Sequence, residues 1–131
     1  MIRYFSWREF DKSVEYISRK CKYLKFSGIY GVPRGGICLA VALSHKLKVN
    51  LVSKPAKNAL IVDDIYETGL TLNNYKNIEG AFFFVLVSKK KPLWWNTVKL
   101  YREEDWIFFP WENRNNIIKD QREYEEKRYT N

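Results

Sequence analysis

Ala59-Leu60-Ile61-Val62-Asp63-Asp64-Ile65-Tyr66-Glu67-Thr68-Gly69-Leu70-Thr71 is the stretch on which both fold and site turn. Ala59 to Val62 is an apolar run of strand length, closed by two adjacent carboxylates. Such a pair at a strand end is costly unless something positive or hydrogen-bonding meets it. The vicinal hydroxyls of a ribose and a hydrated Mg²⁺ both answer that need. Thr68-Gly69-Leu70-Thr71 then supplies a hydroxyl, a glycine and a second hydroxyl, where a short helix is predicted to open and run to about Tyr75. Free amides at that point form an anion cradle, and Gly69 lets the backbone approach closely. A diol or metal at one end and a phosphate at the other describe a ribose 5-phosphate. The plainer alternative is an Asp-rich turn followed by an ordinary threonine cap.

Working outward, Ala81 to Val87 is the most hydrophobic run of the chain, and a run buried on both faces suits a central parallel strand. Lys89-Lys90-Lys91-Pro92 ends it. Upstream, Ser27 to Val32 reads as a short buried strand that ends in the turn signal Pro33-Arg34-Gly35-Gly36. Ile37 to Leu47 reads as a helix, and Val49 to Val52 as a strand. Ser6-Trp7-Arg8-Glu9 has the form of a capping box. Trp7, Phe10, Val14, Ile17, Cys21 and Leu24 then mark one face of a helix running to about Lys22. Thr97 to Tyr101 and Trp106 to Phe109 are further short strands, and residues 113–131 read as a charged, solvated helical tail with a Glu123–Lys127 pair. Strands alternating with helices make the class α/β, with a mostly parallel sheet. Ligands bind beyond the carboxyl ends of such strands. Three loops, Pro33 to Gly36, Asp63 to Thr71 and Ser88 to Pro92, are therefore expected to converge at one rim.

The chain has 131 residues, one domain's worth, with residues 1–112 as core and hood before the tail. Aromatic content of 17% supplies apolar surface that a disordered chain lacks. Cys21 and Cys38 are too few for a disulfide-dense secreted scaffold, and both fall on apolar helix faces, where free cysteine is packing. His45 reads as a surface helix residue. No run approaches a membrane span, and Arg3, Arg8 and Glu9 interrupt any signal-peptide pattern, so a cytoplasmic protein with no membrane partner is expected. The net charge of +8 favours anionic partners: phosphates, nucleotides or nucleic acid. No helix-turn-helix, RNP or zinc pattern accompanies it, so nucleic acid is the less favoured partner.

The 59–71 stretch resembles the phosphoribosyl pyrophosphate signature of the type I phosphoribosyltransferases: an apolar strand, two acidic residues, three intervening positions, then Thr-Gly-x-Thr. It matches at every fixed position. The resemblance implies that Asp63 and Asp64 hold the ribose hydroxyls and Mg²⁺, and that Thr68, Gly69, Leu70 and Thr71 hold the 5-phosphate. Arg34, Gly35 and Gly36 combine a guanidinium with exposed amides at a helix start, chemistry suited to a diphosphate. They resemble the family's pyrophosphate loop, which often carries a cis peptide. Trp106-Ile107-Phe108-Phe109-Pro110-Trp111-Glu112 taken alone reads as an aromatic, core-packing strand. An aromatic ring beside a polar handle is also how a flat nucleobase is gripped. This segment resembles the C-terminal hood strand of the 6-oxopurine branch, especially the bacterial xanthine-guanine enzymes. There Trp106 would stack on the purine, Ile107 would offer backbone to its edge, and Glu112 would bind a second Mg²⁺ or the base's amino group. Lys89 matches the lysine that meets the 6-oxo group; as one of three successive lysines, it reads equally as solvated.

The resemblance spans most of residues 3 to 112 and implies a homodimeric purine-salvage enzyme with a small hood formed by the chain ends. It would transfer ribose 5-phosphate from phosphoribosyl pyrophosphate to hypoxanthine, guanine or xanthine. Two departures stand out. Glu67 occupies a position where the 6-oxopurine branch usually has Asp facing N7, so the candidate catalytic carboxylate is one methylene longer. Only Ser53 to Asn58 fill the place of the family's long mobile loop, which predicts slow turnover, with Lys54 and Lys57 supplying charge to the diphosphate instead. A regulator that binds phosphoribosyl pyrophosphate, nucleotide or nucleic acid is the competing expectation.

Overall fold

The computed structural model describes residues 1–112. The predicted helical tail and its Glu123–Lys127 pair lie outside them. The elements in chain order are β1 (Ile2–Tyr4), α1 (Trp7–Lys20), β2 (Ile29–Gly31), α2 (Gly36–Leu47), β3 (Leu60–Tyr66), β4 (Phe82–Ser88), β5 (Asn96–Leu100) and β6 (Trp106–Phe108), with a 3-10 turn at Leu72–Tyr75. The main sheet runs β2-β3-β4-β5, every pair parallel, with Leu60 opposite Phe82 and Asp63 opposite Val85. The two apolar runs are thus its interior strands. Alternation sorts their side chains. Leu60, Val62, Phe84 and Leu86 pack under α1 and α2, which contribute Phe10, Val14, Ile17, Leu39 and Leu43. Ile61, Phe83 and Val85 face the other way, onto Tyr30, Leu72, Tyr66 and Trp95. Each fully buried aliphatic here is worth roughly 1.5–3 kcal/mol relative to exposure.

Ser6 caps α1 as expected, its Oγ accepting the Glu9 amide at 3.1 Å. Glu9 does not reach back. Its carboxylate goes to Lys99 of β5 at 2.6 Å, a tertiary partner that outcompetes the local one. β1 and β6 pair in parallel, Ile2 with Trp106 and Tyr4 with Phe108, forming a two-stranded hood beside the main sheet. The buried Asp105 anchors this hood through Arg3 at 3.6 Å.

The predicted strand at 49–52 does not form. Leu51 makes a single parallel bridge to Ile29, and the chain then bends at Ser53 and Lys54. Residues 53–58 turn at the amino end of the sheet. Ser27 Oγ donates to the Lys57 carbonyl at 2.6 Å, the Ser27 amide to the Asn58 carbonyl at 3.0 Å, and Lys57 pairs with Glu79 at 3.4 Å. Seven-residue strands carry the chain roughly 23 Å from that end to the other. So short a connection cannot reach the opposite rim, which corrects the expectation that Lys54 and Lys57 serve a diphosphate there.

Candidate active site

Two adjoining cavities, of about 820 and 670 Å³, open where β2, β3 and β4 end. Gly35, Asp64, Ile65 and Glu67 belong to both. The first is walled by Asp63, the 66–72 segment, Lys89, Lys90 and Glu103. The second is walled by Arg34, Trp106, Ile107, Phe109, Trp111 and Glu112. The three loops expected at one rim do meet there.

β3 does not stop at the acidic pair; it continues to Tyr66. Asp63 is buried, and its Oδ1 accepts the Asp64 amide at 2.8 Å. Burial, and then the neighbouring Asp64 charge, push the Asp63 carboxyl far above the usual carboxylate range. Burial likewise raises Asp64. Two desolvated acids side by side are poised for a cation or for hydroxyl donors. Among the described residues no group of three His, Cys, Asp or Glu side chains is placed to hold a metal. Glu112 is therefore not brought into a common ligand set with Asp63 and Asp64; one of its oxygens accepts the Phe109 amide at 2.9 Å instead. Two carboxylates alone suit Mg²⁺, which keeps waters and takes phosphate oxygens as its remaining ligands.

Beyond Tyr66 the backbone folds into a tight loop. Gly69 takes φ +84° with the Tyr66 hydroxyl packed so closely on it that no Cβ fits. Thr68 Oγ1 accepts the Leu70 amide at 3.3 Å, while the Gly69 carbonyl accepts the Asn73 amide at 2.8 Å. Thr71 makes no capping bond with its side chain, and the helix after it is a four-residue 3-10 turn rather than an α-helix. The ordinary-cap alternative therefore fails. The amides of Thr68, Gly69 and Thr71, three residues that line the first cavity, make no hydrogen bond within the described residues.

The peptide between Pro33 and Arg34 is cis. Arg34 is exposed and lines the second cavity, and Gly35 lines both. Gly36 lines neither. It is buried, its amide donates to the Val32 carbonyl at 2.9 Å, and its missing side chain lets α2 start against β3. Lys89 parts from its neighbours: Lys90 and Lys91 are exposed, but the Lys89 side chain is 2% exposed. Its amide extends the ladder to the Tyr66 carbonyl at 2.9 Å, which aims the side chain into the first cavity. There Nζ lies 3.4 Å from Glu67 Oε2 and donates to the Glu103 carbonyl at 3.3 Å. The extra methylene of Glu67 gives it the reach for this pairing.

Sequence reasoning missed Tyr66, Lys90, Glu103 and Trp111 as cavity walls. Tyr66 stacks on Trp95 at 3.7 Å, which fixes the ring that shapes the Gly69 turn. Trp111 stacks on Phe109 at 5.0 Å. Lys90 pairs with Glu103 at 3.1 Å. The Tyr66–Trp95 and Lys90–Glu103 contacts join residues from different segments, and no local spacing announces them.

No protein-family model and no curated protein matches this chain. Solved structures do. The purine phosphoribosyltransferase of Pyrococcus horikoshii aligns with a TM-score of 0.72 and 26% identity, over 86% of this chain and 95% of its own. The xanthine-guanine-hypoxanthine phosphoribosyltransferase of Helicobacter pylori aligns at 0.64 and 19%, over 92% and 99%. A Neisseria gonorrhoeae protein with bound ppGpp aligns at 0.66 and 12%, over 92% and 94%. At their identities, the last two speak to fold alone. The parallel sheet, its flanking helices and the small hood form the type I phosphoribosyltransferase fold expected from the signature.

Proposed function

We propose that this chain, a member of the type I phosphoribosyltransferase family, transfers ribose 5-phosphate from phosphoribosyl pyrophosphate to a 6-oxopurine and releases pyrophosphate. One observation carries the reading. The acidic pair and the Thr68–Thr71 loop line one cavity, Trp106 and Ile107 line the next, and the two cavities meet at Asp64 and Glu67. A sugar phosphate in the first then presents its C1′ to a base in the second.

The 5-phosphate takes the amides of Thr68, Gly69 and Thr71 and the threonine hydroxyls, with Leu70 closing the loop through its amide on Thr68 Oγ1, and fixed donors of this kind stabilise charge without reorganising. Asp63 and Asp64 accept the ribose hydroxyls and would hold Mg²⁺. That ion supplies positive charge against the leaving diphosphate. Arg34 and the Gly35 amide face the same diphosphate from the second cavity. Trp106 stacks on the purine and Ile107 offers backbone to its edge in the second cavity, while Lys89, held from the first cavity by Glu67 where the two meet, donates to the 6-oxo group across that junction. Glu67 fills the position that faces N7 and orients Lys89 through their ion pair. N9 displaces pyrophosphate at C1′, a step helped chiefly by positioning. Glu112 is the family's acidic position at the hood; with its carboxylate holding Phe109, it serves the base's amino group better than a metal shared with Asp63.

A second reading is favoured by residues 53–58, which stay at the amino end and supply no cover for the rim. It is a nucleotide-binding regulator of low or no activity. Initial rates with Mg²⁺, phosphoribosyl pyrophosphate and hypoxanthine, guanine or xanthine in turn separate the two. Nucleotide formed by the wild type and lost in Asp63→Asn with Asp64→Asn supports the enzyme. Tight nucleotide binding with no turnover on any base supports the regulator.

A further inference from the structure

The charge of this protein is divided between its two ends. At the cavity rim, Lys89, Lys90 and Arg34 face Asp63, Asp64, Glu67, Glu103 and Glu112, so acids outnumber bases. The surplus lies at the amino end of the sheet. Three segments converge there: the chain after α1, the end of α2, and the 53–58 connection. Ser27 bonds to Lys57 and Asn58, and Ile29 bonds to Asn50. Lys46 at the end of α2 pairs with Glu15 of α1. These segments expose Arg19, Lys20, Lys22, Lys25, Lys48 and Lys54; Arg19 acts on Glu15 and Lys20 Nζ lies 5.5 Å from the Tyr16 ring, while Lys22, Lys25, Lys48 and Lys54 form no ion pair among the described residues. Among these lysines stands Tyr23, 89% exposed, with Lys22 Nζ 5.5 Å from its ring, followed by the exposed Leu24.

Cations at helix carboxyl ends favour the macrodipole, which accounts for Arg19, Lys20 and Lys46. It extends to Lys48, the C-cap of α2, and to Lys22 just past the C-cap of α1, but it does not account for Lys25 and Lys54, nor for a tyrosine presented in their midst. A bilayer would require an apolar face to insert, yet the apolar stripe of α1, Phe10, Val14 and Ile17, is turned into the core. A phosphate polymer requires what is present: unpaired cations along a backbone path and an aromatic face on which a base can stack.

We infer that the amino-end face is a docking surface for single-stranded nucleic acid, with Arg19, Lys20, Lys22, Lys25, Lys48 and Lys54 on its phosphates and Tyr23 stacked on a base. This surface is separate from the cavity rim and does not depend on the activity proposed for it.

Fluorescence anisotropy with a labelled oligothymidylate, over a salt series, tests it on the full chain. Six phosphate contacts predict that log affinity falls with log salt at a slope near −4, at roughly 0.7 per contact. Lys20→Glu with Lys22→Glu and Lys25→Glu should flatten that slope by about 2 and lower low-salt affinity at least about a hundred-fold. Tyr23→Ala should weaken binding roughly five- to hundred-fold and leave the slope unchanged. Both variants should melt and bind phosphoribosyl pyrophosphate as wild type does. The inference is overturned by absence of binding at low salt, by binding that the three-site variant retains, or by competition with phosphoribosyl pyrophosphate, which would place the strand at the rim. Preferential binding to phosphatidylserine vesicles, with Tyr23→Ala neutral toward the oligonucleotide, overturns it in favour of a membrane.

Discussion

Replacing Gly36 by alanine strikes the seam where α2 begins against β3. A methyl group there would lie 3.0 Å from Asp63 Cα and nearer still to the Val62 carbonyl oxygen. Carbon atoms in good contact keep about 3.5–4.0 Å, so helix and strand must part by up to about 1 Å. The obstacle is backbone and cannot rotate away. Overpacking of this kind costs roughly 1–3 kcal/mol, which for a chain of this size lowers the melting temperature by roughly 3–15 °C. The strand that moves carries Asp63, and a misplacement of about 1 Å at a reacting centre costs about a hundred-fold in rate. Gly35→Ala is the matched contrast. Its Cβ would meet the Asp64 carboxylate, a side chain that can swing aside. That variant should melt within about 2 °C of wild type, as expected away from backbone clashes, while losing affinity for phosphoribosyl pyrophosphate. Thermal melts with titration calorimetry read both quantities. A Gly36→Ala protein with wild-type melting and wild-type affinity refutes the seam, and a Gly35→Ala protein that unfolds but binds normally refutes the division of roles between the two glycines.

Asp63 keeps in the native state a proton that the unfolded chain releases near its ordinary value of 3.8, because burial and Asp64 raise its pKa to about 9. Ligand-free stability should therefore fall as pH rises from about 4 to about 9; Asp63→Asn should flatten that slope in urea titrations, leaving the part that belongs to Asp64, and raise stability at pH 8, while abolishing sugar-diphosphate binding. Trp106→Ala should weaken purine nucleotide binding by roughly 1–3 kcal/mol and leave phosphoribosyl pyrophosphate binding nearly unchanged; equal loss of both, or unfolding, would make it a packing residue. Lys54→Ala with Lys57→Ala should leave the Michaelis constant for phosphoribosyl pyrophosphate unaltered, because both residues lie at the far end of the sheet; a clear rise would mean that the 53–58 segment reaches the rim.

The core strands and the two loops that line the cavities were legible in the sequence, because their signals are local. Ala59 to Val62 and Ala81 to Val87 are apolar runs bounded by polar residues, and Asp63 to Thr71 places the acidic pair and the Thr-Gly-Leu-Thr loop of the first cavity within nine consecutive positions. Legibility failed where the outcome depends on distant partners. Glu9 has a local partner in the amide of Ser6 and takes Lys99 instead. Val49 to Val52 has strand composition, but the chain bends away after one bridge to Ile29. Lys54 and Lys57 fill the place of a lid, and only the hydrogen bonds between Ser27 and residues 57 and 58 reveal which end of the sheet they occupy. The lysine triplet gave equal weight to solvated and inward-facing side chains. The ladder bond from Lys89 to Tyr66 decides between them, and it draws on two strands at once.

Transfer, hydrolysis and binding without chemistry leave different phosphorus spectra, so a phosphorus NMR time course with the full chain, Mg²⁺, phosphoribosyl pyrophosphate and guanine tests the central claim most directly. The account predicts that the substrate's diphosphate resonances give way to free pyrophosphate, matched by the sum of nucleoside monophosphate and any ribose 5-phosphate. A slower, base-independent release of ribose 5-phosphate is predicted as well, since the described rim has no lid to exclude water. Substrate resonances that broaden on binding and then persist unchanged, with every 6-oxopurine tried, would contradict it.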